Sequence, residues 1–210
     1  TTDHQTLCYW GTAKYTSGDV INNVTLYRNM AKIEIVAGDE CTFPEDRLFI
    51  AGLVKPIEKG TLVPYKDGFN FNLNDNDNDY YTLPSSLSEP AERANKELSE
   101  PVNSLYIFEH DNPGTANGLY IICEIDEDYY KVALIGKDGE PYPIIRNHRY
   151  VIYVNDLDEG ADDFDTAADP ETKPYNFEVR EYKDVTLTLL PSSVTLDYTK
   201  SNPSASKLSL

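Results

Sequence analysis

The chain of 210 residues carries 36 Asp and Glu against 18 Lys and Arg, a formal charge of −18. So acidic a chain is repelled by polyanions and lacks the basic stripe that displaces counterions from a phosphate backbone, which sets nucleic acid aside as a partner. With 40% apolar residues, seven Phe and 16 Tyr, it still has the material for a core.

Along the chain the dominant pattern is short β segments with period-two alternation, separated by turn residues. Strands are expected at Val20–Leu26, Ala31–Val36, Leu48–Leu53 and Leu62–Tyr65. In the second, Ala31, Ile33 and Ile35 fall on one face and Lys32 and Glu34 on the other, as in a strand solvated on one side. Asn74–Asp79 is a polar low-complexity tract, and Pro90–Leu98 reads as a short helix capped by Ser88, with Pro at its start. A lobe boundary is placed in this region. Further strands are expected at Leu105–Glu109, Leu119–Ile125, Tyr129–Ile135, Pro143–Ile145 and Arg149–Val154, with tight turns at Asp126-Glu127-Asp128 and Lys137-Asp138-Gly139. Tyr130, Val132 and Leu134 share one face, and Tyr150, Ile152 and Val154 share another, so as adjacent strands they are expected to supply one inner sheet surface of a sandwich. Asp156–Pro174 reads as an acidic loop, followed by strands at Asn176–Glu181 and Val185–Leu190. Alternation resumes at Val194, Leu196 and Tyr198. The expected fold is all-β, with two antiparallel sandwich lobes at residues 1–100 and 101–190 and, at 191–210, a terminal strand or the start of a further β domain.

Chemistry-bearing motifs are sparse. Asp75, Asp77 and Asp79 have the spacing of a calcium loop, but Tyr80 stands where an EF-hand needs Gly and Ser86 where it needs a bidentate Glu, so a solvated loop is the preferred reading. Glu109, Glu124, Asp126 and Asp128 lie on or beside strands, yet among 36 carboxylates chance pairs are expected. His4, His110 and His148 are far apart and have no neighbours at metal-ligand spacing. No nucleophile elbow, P-loop or dinucleotide-binding glycine pattern occurs. No catalytic residue, metal or cofactor is therefore expected. Tyr80, Tyr81, Tyr129, Tyr130, Tyr142, Tyr150, Tyr153, Tyr175 and Tyr182 could stack on sugars, which makes a surface glycan-binding module the alternative to a structural subunit, with a hydrolase third. Trp10 reads as core, and Cys8, Cys41 and Cys123 as buried apolar residues. The longest apolar run, Leu119–Cys123, is far short of a membrane span. The start at Thr1-Thr2-Asp3, without Met or leader, reads as a processed or trimmed N-terminus.

Five stretches, taken in order, carry a resemblance: Val24 to Ile35 with its Arg28, Ala31 and Lys32; Val54 to Pro64; Leu105 to Glu109; Tyr129 to Val132; and Tyr142 to Ile152 with its Arg146, Asn147 and Tyr150. Together they resemble the Bacteroidales fimbrillin family, the type V pilins and their anchor and tip proteins. That resemblance implies two transthyretin-like lobes and no enzymatic activity. It further implies export as a lipoprotein to the outer membrane surface or fimbrium, and partnership with other fimbrial subunits by strand complementation. An exchanged strand gains affinity from main-chain hydrogen bonds and register from alternate side chains. Val185, Leu187, Leu189, Val194, Leu196 and Tyr198 have that alternation and are the candidates for a donor or edge strand. Host or bacterial surface glycans and proteins are further expected partners. Asp165-Thr166-Ala167 resembles the O-glycosylation sites of such exported proteins, with Thr166 as acceptor.

Overall fold

The computed structural model describes residues 7–10, 24–56, 60, 94–109, 112, 118–155, 157–175, 177–182, 187–189, 195–197 and 207–209. They build two four-stranded sheets. The first runs β10 (Glu178–Tyr182), β9 (Arg149–Val154), β3 (Ala31–Ala37), β6 (Ser104–Ile107), with β3 and β9 parallel and the other pairs antiparallel. The second is antiparallel throughout: β5 (Lys96–Val102), β4 (Leu48–Val54), β7 (Tyr120–Ile125), β8 (Asp128–Ala133). One face of each sheet is apolar, and the two apolar faces close on a shared core. Ile33, Ile35, Tyr150 and Ile152 from the first sheet meet Ile50, Ile121, Cys123 and Val132 from the second. The architecture is an all-β sandwich.

Strands from both sides of residue 100 alternate within it: β3 pairs with β6 and β9, and β4 with β7. The expected division at residue 100 therefore does not separate these two sheets. Tyr130, Val132 and Leu134 do share an inner face, but they look across the core at Tyr150, Ile152 and Val154 instead of lying beside them. The β7–β8 turn uses Asp126 and Glu127, both at positive φ of 51° and 79°, which matches a tight two-residue hairpin.

Three sequence readings are corrected here. The expected helix at Pro90–Leu98 ends in strand, because Lys96 and Glu97 pair with Leu53 and Gly52 while Leu98 is buried in the core; residues 90–93 lie outside the described set. Sheet pairing and burial outweigh a weak local helix preference. Pro143–Ile145 is a loop and not a strand, since Pro143 has no N–H to give and the Tyr150 hydroxyl takes up both the Pro143 carbonyl and the Ile145 N–H. The acidic loop contains α1 (Phe164–Ala168), capped where the Asp163 carboxylate accepts the Thr166 N–H at 2.7 Å. That bond holds the Asp163 carboxyl below its usual range.

Helix α1 covers the outer face of the second sheet. Phe164, Ala167 and Ala168 pack on Ala51, Val54 and Ile122. Lys131, buried on the same face, donates to the carbonyls of Asp169 at 2.8 Å and Thr172 at 3.1 Å and lies over the Tyr120 ring, so its ammonium ties down the segment that follows the helix. Burial pulls the pKa of that ammonium below its ordinary value. Where the helix crosses β4 the strand bulges between Ile50 and Gly52. A Cβ at Gly52 would sit 2.4 Å from the Lys96 carbonyl oxygen and 2.5 Å from the Phe164 ring. Gly52→Ala is therefore expected to destabilise the fold by about 1–3 kcal/mol in denaturant unfolding, because one contact is fixed backbone.

A separate three-stranded sheet runs β1 (Tyr9–Trp10), β2 (Val24–Arg28), β11 (Leu187–Leu189), antiparallel throughout, and β12 (Thr195–Asp197) pairs with β13 (Lys207–Ser209). The cysteines are free: Cys123 is buried, Cys41 half-buried, and Cys8 exposed just ahead of β1, which corrects the reading of all three as core. Among the described residues no helix is long and apolar enough to cross a membrane.

Candidate functional site

Two of the segments that carried the resemblance, Val24 to Ile35 and Tyr142 to Ile152, are hydrogen-bonded neighbours although 115 residues separate Glu34 from Arg149. Lys32 stands beside Arg149 and Ile33 beside Tyr150. At the head of this parallel pair a polar junction ties three layers of chain together. Asn147, at a φ of 64° that Asn tolerates well, donates its N–H to the Met30 carbonyl, and its side-chain oxygen accepts the Arg28 N–H at 3.3 Å. Asn29 exchanges two bonds with Cys8, donating its N–H to the Cys8 carbonyl and accepting the Cys8 N–H at 2.9 Å. The end of β2 is thus pinned to β9 by Asn147, and the start of β1 is pinned to the β2–β3 turn by Asn29.

Beneath the junction the Arg146 guanidinium donates to Glu109 at 2.7 Å, and the Arg146 backbone N–H donates to the other Glu109 oxygen at 3.3 Å. Both side chains are buried, with 3% and 6% exposure. The pair links the chain leaving β6 to the chain entering β9, across the end of β3. The fully buried Tyr150 closes the 143–149 loop through its hydroxyl, which donates to the Pro143 carbonyl at 2.6 Å and accepts the Ile145 N–H at 3.0 Å. His148 Nδ1 lies 2.7 Å from a Glu181 oxygen, joining the loop to β10. Asn147→Ala is expected to cost about 2 kcal/mol in urea unfolding and Asn147→Gly about half of that, since Gly keeps the left-handed backbone and loses only the bond to Arg28.

The candidate donor strand falls partly within the described residues. Leu187 pairs with Leu26 and Leu189 with Val24 at one edge of the three-stranded sheet, and Leu196 pairs with Leu208 in the β12–β13 hairpin. Val185, Val194 and Tyr198 lie outside the described residues, as do Asp75, Asp77 and Asp79 and the histidines His4 and His110. The middle strand β2 has a two-residue partner on one side, Tyr9 and Trp10 opposite Arg28 and Tyr27, and a three-residue partner on the other.

Among the described residues the candidate sugar-stacking tyrosines do not form one platform. Tyr130 and Tyr150 are core residues, and burial pushes the Tyr130 phenol up to about 12. Tyr153 and Tyr182 share the outer face of the first sheet with hydroxyls 2.9 Å apart, but Arg180 lies over one ring and Arg149 over the other, at 4.5 and 4.6 Å. Tyr80 and Tyr81 lie outside the described residues. Of the carboxylates considered for hydrolysis, Glu109 is taken up by Arg146 and Asp126 by Arg47. Among the described residues no group of three or more His, Cys, Asp or Glu could hold a metal ion. Thr166 is exposed on α1. Sequence reasoning named Glu109 and Arg146 separately and missed that they pair; a buried pair of opposite charges 37 residues apart leaves no local signal.

No family model matches the chain, and no curated protein matches it. A solved structure that it is similar to is the tip fimbrial protein Mfa3 from Porphyromonas gingivalis with C-terminal truncation, at 16% identity and a TM-score of 0.40. The match covers 75% of this chain and 51% of that one, so the chain spans about half the length of the protein it matches.

Proposed function

We propose that the chain is a non-enzymatic subunit of a cell-surface fimbria or adhesin, exported to the outer membrane surface, and that it joins other subunits by β-strand exchange. The observation that carries this reading is the position of β2. It is pinned to the sandwich at one end through Asn147, and among the described residues its two edges are occupied by the short strands β1 and β11. Loss of β1 would leave a fixed strand with an open edge, the kind of acceptor that β-augmentation needs. The segment holding Val185, Leu187, Leu189, Val194, Leu196 and Tyr198 supplies the donor. Its β11 portion already runs antiparallel to β2, as β1 does, so the same strand direction serves between chains. A chain beginning at residue 11 is expected to form SDS-resistant ladders on gels of unheated samples. A strictly monomeric product that keeps the wild-type unfolding midpoint would overturn the reading.

A further inference from the structure

The two outer faces of the sandwich carry opposite charge. On the first sheet, register places Tyr106, Lys32, Arg149 and Tyr182 in one row across β6, β3, β9 and β10. The next row holds Glu34 and Arg180, flanking Val151, and Glu178 follows beside Tyr153. Each carboxylate here is shared between two cations. Glu34 bonds Lys32 and Arg149, and Glu178 bonds Arg180 and Lys137. Those cations hold Glu178 down to about 2. The strands of this face bring three cations, Lys32, Arg149 and Arg180, against two carboxylates, Glu34 and Glu178, a positive balance in a chain of net charge −18. The outer face of the second sheet is the reverse. Around α1 exposed carboxylates run from Asp158 to Glu171, and Lys131 is turned inward onto backbone carbonyls.

We infer that the basic face of the first sheet is a docking surface for a second copy of this chain, which presents the acidic α1 face of its second sheet. The complement is on the chain itself, and it lies on the far side of the sandwich. Sheets pack about 10 Å apart, so the two outer faces are separated by more than the roughly 8 Å screening length of physiological salt and cannot meet within one molecule. A contact between unlike faces is heterologous, and its repetition gives an open row of copies instead of a closed dimer. Such docking goes beyond strand exchange and is separable from it: it yields to salt and to SDS, whereas an exchanged strand does not.

Sedimentation velocity of the 210-residue chain provides the test. Association is expected to peak near about 0.15 M salt, because at about 0.01 M the whole-molecule charge of −18 repels over roughly 30 Å and at about 1 M the local pairing is screened as well. Arg149→Glu with Arg180→Glu, and separately Asp162→Lys with Asp165→Lys, should each weaken association by at least about tenfold, and an equimolar mixture of the two variants should restore it. Should the first variant fold poorly, Arg149→Gln with Arg180→Gln serves in its place, with a smaller loss expected. A wild-type chain that stays monomeric at every salt concentration would overturn the inference. So would folded variants that fail to associate when mixed.

Discussion

Glu109→Ala is expected to lower the free energy of unfolding by about 3–5 kcal/mol, and Arg146→Ala by a similar amount, in guanidinium or urea titrations. Each change strips one member from an ion pair whose side chains are 3% and 6% exposed, leaving the other charge buried without its counter-charge. The loss is large because Glu109 also accepts the Arg146 backbone N–H, so its removal unties the chain entering β9 as well as the guanidinium. The double replacement Glu109→Leu with Arg146→Met should recover most of the loss, since it removes both desolvation penalties together. A single substitution costing under about 1 kcal/mol would mean that the pair does not hold the sandwich.

Phe164→Ala is the second large effect, about 3–4 kcal/mol. Phe164 is 5% exposed and is the largest side chain that α1 lays on Ala51, Val54 and Ile122. A five-residue helix has little stability of its own, so its position depends on that ring and on the Lys131 ammonium. Because the same helix carries the acidic face, the variant should also lose the salt-dependent association inferred above.

How far the fold was legible follows from where its signals lie. Period-two alternation located β3, β4, β7, β8 and β9 to within about two residues, because each is buried on one face and solvated or covered on the other. Alternation says nothing about which strands pair. The parallel contact of β3 with β9, which interleaves the two halves of the chain, depends on Asn147, Met30 and Arg28 finding one another across more than a hundred residues. Helix α1 was hidden because its Asp-rich surroundings read as solvent-exposed while only Phe164, Ala167 and Ala168 face inward. Within the candidate site, the leucines of β11 and part of β2 were visible as patterns, and their pairing with each other was not. The Tyr and Arg residues of the first sheet were visible only one by one, since their ladder is a product of register between strands.

The central claim is that β2 is a strand acceptor and that residues 184–198 are its donor. It is tested most directly by titrating a peptide spanning Asp184 to Tyr198 into a chain that begins at residue 11. The account predicts capture that survives SDS without heating, is abolished in a peptide bearing Leu187→Lys and Leu189→Lys, and persists in one bearing Thr186→Lys and Thr188→Lys, because alternate apolar positions set the register of an added strand. No capture, or equal capture of all three peptides, would contradict it.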